Sequence, residues 1–181
     1  MKPTEILKNE HRIIEKMLSV LEGFLRELKK RDEFNINHAE EIIDFFEVFA
    51  DKCHHGKEED MLFPQIEKAG VPIEGGPIGV MLFEHTQGRN FVKGMSDGIK
   101  EKSKEKFIEN AENYISFLKD HIYKEDNILY NIADTHIPEE NQKKLLENFE
   151  KFEKERIGKG VHEKYHDLVY KLGKIYIKNL D

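Results

Sequence analysis

The sequence predicts an all-α protein, an antiparallel up-down four-helix bundle followed by two additional C-terminal helices. Three observations predict it. Apolar residues recur at three- and four-residue spacing, which marks a helix with one buried face. Charged residues make up 36% and hydrophobic ones 38% of the 181 positions, the mix of amphipathic helices with solvated outer faces. No stretch sustains the period-two alternation of a half-buried strand.

The first helix is expected from Pro3 to Lys30, with the seam Leu7, His11, Ile14, Leu18, Leu21, Leu25 and Leu28. A turn at Arg31–Asn35 leads to a second helix, from Asn37 to Lys68, with Ile43, Phe46, Ala50, His54, Glu58 and Met61 on one face. The Gly- and Pro-rich stretch from Ala69 to Pro77 is a loop. The third helix runs from Ile78 to Glu101 on the seam Ile78, Met81, His85, Gly88, Val92, Met95 and Ile99. The fourth runs from Lys104 to Asp134 on the seam Phe107, Ala111, Tyr114, Leu118, His121, Glu125, Ile128 and Ile132. Pro3, Asn37, Pro77 and Pro138 read as helix entrances. These four helices make a bundle domain over residues 1–136. Two more, from Pro138 to Arg156 and from Val161 to Lys178, form an extension over 137–181. Their apolar faces must pack on the bundle or on a partner, a second copy in a homodimer included.

Composition excludes several functions. A formal net charge of −7 argues against a general nucleic-acid or anionic-membrane binder. No apolar run reaches the roughly 18 residues of a membrane span. The opening MKPTEILKNEHRIIEK is charged throughout and lacks the apolar centre of a signal peptide. A single Cys cannot form an internal disulfide, so a reducing, cytoplasmic location is expected.

The chain contains an internal echo. His54-x-x-Lys57-Glu58-Glu59-x-Met61-Leu62-Phe63 matches His121-x-x-Lys124-Glu125-Asp126-x-Ile128-Leu129-Tyr130, and each copy follows a helix with one seam histidine, His11 or His85. Residues four apart on a helix project together, so His54 pairs with Glu58 and His121 with Glu125. Four imidazoles and two carboxylates then face the interior of one bundle. Burying ionised carboxylates without partners costs several kcal/mol each. A pair of metal ions compensates, with the two Glu bridging and two His capping each ion. Imidazole with carboxylate suits iron, manganese or zinc rather than calcium. Against this stands a metal-free structural bundle, in which each histidine is a hydrogen-bonded core residue. His55 and Glu59 offer a competing register on the second helix. Their face includes Lys52 and Glu41 and suits solvent, whereas the His54 face contains Ile43, Phe46 and Ala50.

Four stretches, KNEHRIIEKML, HHGKEEDMLFPQIEKAG, GGPIGVMLFEHTQGR and DHIYKEDNILY, resemble the hemerythrin family, specifically hemerythrin-like HHE cation-binding domains. The resemblance covers about residues 3–134. It implies two non-haem irons with an oxo or hydroxo bridge, held by His11, His54, Glu58, His85, His121 and Glu125. It also implies binding of, or reaction with, dioxygen, peroxide or nitric oxide; similar layouts occur in bacterial proteins that repair iron–sulfur centres. Oxygen-carrying members have a further histidine one turn after the third-helix ligand. Arg89 stands there, and a guanidinium stays protonated and cannot ligate. Reversible carriage is thereby put in question, and a non-catalytic sensor or an iron-handling protein becomes the alternative.

Other residues are weighed beside these six. His162 and His166 share a face, and His162 stays open as a fifth histidine, although the seam of the last helix, Val161, Tyr165, Leu168, Leu172 and Ile175, points the pair toward solvent or the helix end. Tyr114 and Tyr123 read as aromatic packing before donors to a bound oxygen species. Cys53 reads as an inert core thiol, and Met61, Met81 and Met95 as packing. His38, His55 and His136 receive no role.

Overall fold

The computed structural model describes residues 1–31 and 33–177, and among these every regular element is helical. Helix α1 spans Pro3–Arg31. Helix α2 is continuous over residues 36–68; α-helical turns at Ile36–Phe45 and Phe63–Lys68 flank π-helical ones at Phe46–His55 and Glu58–Leu62. Helix α3 spans Pro77–Lys100. Helix α4 covers residues 104–136 and carries a π-helical segment at Glu125–Leu129. Helix α5 spans Glu139–Phe152 and closes in a π-helical turn, Glu153–Ile157; α6 spans Val161–Tyr176.

The entrances follow local chemistry. Pro77 occupies the first turn of α3, where its missing N–H costs nothing, and Pro138 precedes α5. The cap of α2 is Asn35 rather than Asn37: its side chain accepts the backbone N–H of His38 at 3.1 Å. The turn expected at Arg31–Asn35 includes Asp32, and the last helix was expected to reach Lys178; both positions lie outside the described residues.

Contacts set the helix directions. Asp51 and Glu59 on α2 meet Arg89 and His85 on α3 in reversed order, so these helices run oppositely. Glu84 on α3 meets His121 on α4, while Gly98 lies against Phe107. His11 on α1 meets Asp126 on α4, and Phe24 packs on Phe107 with ring centroids 5.8 Å apart. Three reversals leave α1 and α2 opposed as well. The α3–α4 contact depends on Gly98, where a Cβ would stand 2.7 Å from the Phe107 backbone nitrogen.

Two apolar clusters fill the bundle. One gathers Phe24, Phe46, Phe107 and Tyr114; the other gathers Leu7, Phe63, Ile78, Met81 and Phe149. Every bundle helix contributes to both, and the inward His and Glu residues fall between them along each helix.

The π-helical turns shift the inward face. A π turn holds more residues than an α turn, so the seam slips beyond it. Ile128, expected on the α4 seam, is 50% exposed, while Leu129 and Tyr130 are buried. On α2, Met61 is half-buried while Leu62 and Phe63 are buried. The α6 seam also differs from expectation: Ile175 is exposed, and Tyr165, Val169, Leu172 and Tyr176 face inward.

Helix α6 lies along α1 and α2. The Tyr165 hydroxyl donates to Asp44 at 2.8 Å, Lys171 pairs with Glu41, and Arg26 donates to the Tyr176 carbonyl at 3.1 Å. The α1 backbone is approached so closely that a Cβ at Gly23 would stand 2.1 Å from that carbonyl oxygen. Helix α5 covers the other end, with Phe149 in the second apolar cluster and the Phe152 ring against Gly56. Among the described residues no helix is long and apolar enough to cross a membrane.

Candidate metal centre

The six residues singled out by pattern meet in the layer between the apolar clusters. His11, His54, Glu58, His85, His121 and Glu125 are each at most 2% exposed. Glu125 reaches three imidazoles: His11 Nε2 at 3.2 Å, His121 Nε2 at 3.3 Å and His85 Nε2 at 3.6 Å. Glu58 lies 3.4 Å from His85 Nε2 and 3.7 Å from His54 Nε2. Two sets of ligand atoms, from His11, His54 and Glu125 and from Glu58, His85 and Glu125, each lie within 4.8 Å of one another.

A ring of carboxylates surrounds this layer. Each inward imidazole faces a carboxylate with its outer nitrogen, Nδ1. The partners are Asp126 for His11 at 2.8 Å, Glu10 for His54 at 2.9 Å, Glu59 for His85 at 2.7 Å and Glu84 for His121 at 2.8 Å. An ionised carboxylate only accepts, so Nδ1 must carry the proton. The Nε2 lone pairs are thereby aimed inward, the arrangement that outer carboxylates impose on metal-binding histidines. The outer ring is itself tied down: Lys57 pairs with Glu10, Lys124 with Glu84, Arg12 with Asp126 and Arg89 with Glu59.

His54 Nε2, His85 Nε2, His121 Nε2, Glu58 Oε2 and both Glu125 oxygens are buried without a hydrogen-bond partner. Groups of this kind are nearly always paired, because an unpaired one keeps its full desolvation cost. Without a metal, the neighbouring carboxylates favour the protonated imidazoles. Burial disfavours a charged His11, but Asp126 and Glu125 outweigh it and hold the ring up at about 9. Burial opposes the charged forms of His85 and His121 too, yet neighbouring carboxylates raise both. Glu125 is held well below the usual carboxylate range, its burial overcome by His121, His11 and His85. A cation at this point would replace those protons and satisfy the same atoms, so the residues fit a metal.

The structure adds residues that pattern reasoning missed. His55, placed on the solvent side by an α-helical period, is 6% exposed. Its ring stacks on His85 with centroids 3.8 Å apart, and His55, His85 and His121 form a third group of ligand atoms within 4.8 Å. The π-helical geometry of Phe46–His55 explains this, because it turns two successive residues inward where an α-helix would turn one. Burial first and His85 second push His55 well below the ordinary imidazole range, so it stays neutral. Tyr130 was also missed; its hydroxyl donates to Glu58 Oε1 at 2.7 Å. The outer carboxylates were legible in principle. Glu10 and Glu84 each immediately precede a seam histidine, and Lys57-Glu58-Glu59 repeats as Lys124-Glu125-Asp126.

The remaining candidates fall elsewhere. His162 reaches Glu10 Oε1 at 3.2 Å, outside the inward layer, and His166 is exposed beside it. Tyr114 is buried against Phe46 and Tyr123 is 66% exposed. Cys53 is buried, and burial pushes its thiol up to about 12, which suits an unreactive core residue. Met81 and Met95 are buried in the apolar clusters.

No curated protein and no solved structure shows significant similarity to the chain. A family model does match, over residues 2–133, the span that holds every residue of the inward layer. By that match, and with His and Glu clusters able to hold a metal, the chain belongs to the hemerythrin family, with the hemerythrin HHE cation-binding domain.

Proposed function

We propose that the inward layer holds a pair of iron ions, with an oxo or hydroxo bridge, and binds or reacts with dioxygen, peroxide or nitric oxide in the cytoplasm. One observation carries the reading: six buried nitrogen and oxygen atoms converge between two apolar clusters and lack partners. His11 and His54 would serve one ion, His85 and His121 the other, and Glu58 and Glu125 would bridge. Bound iron supplies electrons and open coordination positions for a small oxidant. The chain does the rest. Asp126, Glu10, Glu59 and Glu84 fix the histidine tautomers. Tyr130 occupies Glu58 Oε1 and leaves Oε2 free for a cation. The apolar clusters exclude bulk water from both ends of the layer.

Metal analysis and visible spectra after anaerobic iron loading test this reading. Two irons per chain and a spectrum that responds to dioxygen, peroxide or nitric oxide are expected. An iron-treated protein that holds no iron, and melts as it does after chelation, would overturn it, because a bound metal stabilises the native state.

One observation favours a second reading, a sensor or iron-handling protein without turnover. The C-terminal helices reach the layer through Glu10, which faces His54, His162 and Lys57, while Lys57 also pairs with Glu153. A stable adduct supports sensing, and multiple turnovers with an added electron donor support catalysis.

A further inference from the structure

Every histidine of the inward layer is held in one way: Nδ1 faces a carboxylate and Nε2 points in. His55 has the first half of that arrangement. Its Nδ1 faces Asp51 Oδ1 at 3.2 Å. Asp51 is anchored in turn, by Arg89 Nε at 2.8 Å, and a second Arg89 nitrogen reaches Glu59, the carboxylate of His85, at 2.7 Å. Arg89 stands where the family resemblance expects a further histidine, so here it braces the outer carboxylates of two neighbouring imidazoles. His55 is almost fully buried, stacked on His85 at an interplanar angle of 14° and edge-on to His121 with centroids 5.9 Å apart. His55 also lines a cavity of about 430 Å³, whose other walls include Phe46, Gly88, Arg89, Val92 and Tyr114.

We propose that His55 is a fifth histidine ligand, on the ion served by His85 and His121, and that Asp51 and Arg89 position it. The inference rests on the iron-pair reading above. The ligand atoms of His55, His85 and His121 already lie within 4.8 Å of one another. The two ions are then unequal, with His11 and His54 on one and His55, His85 and His121 on the other. Of these three histidines, His55 is the one that lines the cavity.

The iron-loaded protein tests this through the exchangeable imidazole N–H signals that paramagnetic iron shifts in proton NMR. Five are expected in the native chain and four in His55→Ala, with the second iron bound at least roughly tenfold more weakly. Imidazole added to His55→Ala is expected to enter the cavity and restore the iron affinity. Asp51→Asn retains the ring but removes the charge of its acceptor, and is expected to shift or broaden the fifth signal most. It carries the test if His55→Ala does not fold. Two irons with four signals in the native chain, unchanged by Asp51→Asn, would overturn the assignment of His55 and leave the iron pair standing. Absence of two irons in the native chain would overturn the iron-pair reading itself.

Discussion

The two helical hairpins, α1–α2 and α3–α4, carry the same motif and build different halves of one centre. Each supplies a Glu-His pair on its first helix, Glu10-His11 or Glu84-His85, and a His-x-x-Lys-Glu-acid run on its second. Within each hairpin the first-helix Glu holds the second-helix His; between hairpins Glu59 holds His85 and Asp126 holds His11. The halves diverge at three matched positions. His55 faces the layer where α4 has the apolar Ile122, Tyr130 supplies a hydroxyl where α2 has Phe63, and Lys57 is fully buried where Lys124 is 35% exposed. A repeated motif therefore fixes the shared inward His and Glu residues, and its unmatched neighbours make the two halves differ.

Removing a bridge should break both halves equally. Glu58→Ala or Glu125→Ala is expected to abolish the paired site, leaving at most one iron per chain by metal analysis. Two irons in either variant would show that the bridges are not shared.

Removing an outer carboxylate should separate the halves. Glu10→Gln leaves Lys57, which is buried under α5, with Glu153 as its remaining carboxylate. Breaking a buried pair costs up to about 3–5 kcal/mol, and the Glu153 contact offsets part of that here. Glu84→Gln leaves Lys124 able to reach water, and the metal-free protein should lose much less. Equal melting temperatures for the two metal-free variants would remove the contrast. In the loaded protein each should weaken iron binding by roughly 10–100-fold.

The hydroxyl difference is smaller. Tyr130→Phe keeps the ring and deletes the donor to Glu58, a hydrogen bond to a charged group worth about 1.5–3 kcal/mol. A changed visible spectrum with two irons retained is expected. An unchanged spectrum would reduce Tyr130 to packing, like Phe63.

The weakest handle is pH. In the metal-free protein His11 titrates at about 9, above its ordinary 6.5. Its charged form therefore stabilises the fold fully below about 6.5, and that contribution is lost as pH rises through about 9. Metal-free melting should fall over this window, and the fall should vanish on metal loading, because the ring then carries no proton on Nε2. A melting temperature of the metal-free protein that stays flat from pH 6 to 10 would contradict the assignment.

Much was legible without coordinates. The seams gave six helices to within a residue or two, because apolar spacing reports one buried face directly. The echo of His54 and Glu58 in His121 and Glu125 marked an inward layer, because buried ionisable residues repeated in one register demand a shared partner. His55, Tyr130 and the displaced seam at Ile128 were not legible. All three lie in or just beyond the π-helical turns, whose backbone hydrogen bonds skip one residue further, so an α-helical period points them the wrong way. The residue pattern alone determined the fold class and the six side chains that meet in the inward layer, since helical spacing projects them to one side. Only the tertiary structure decided the carboxylate that holds each imidazole, the burial of Lys57 and the inward turn of His55. Those depend on which helices touch and on how tightly each one is wound.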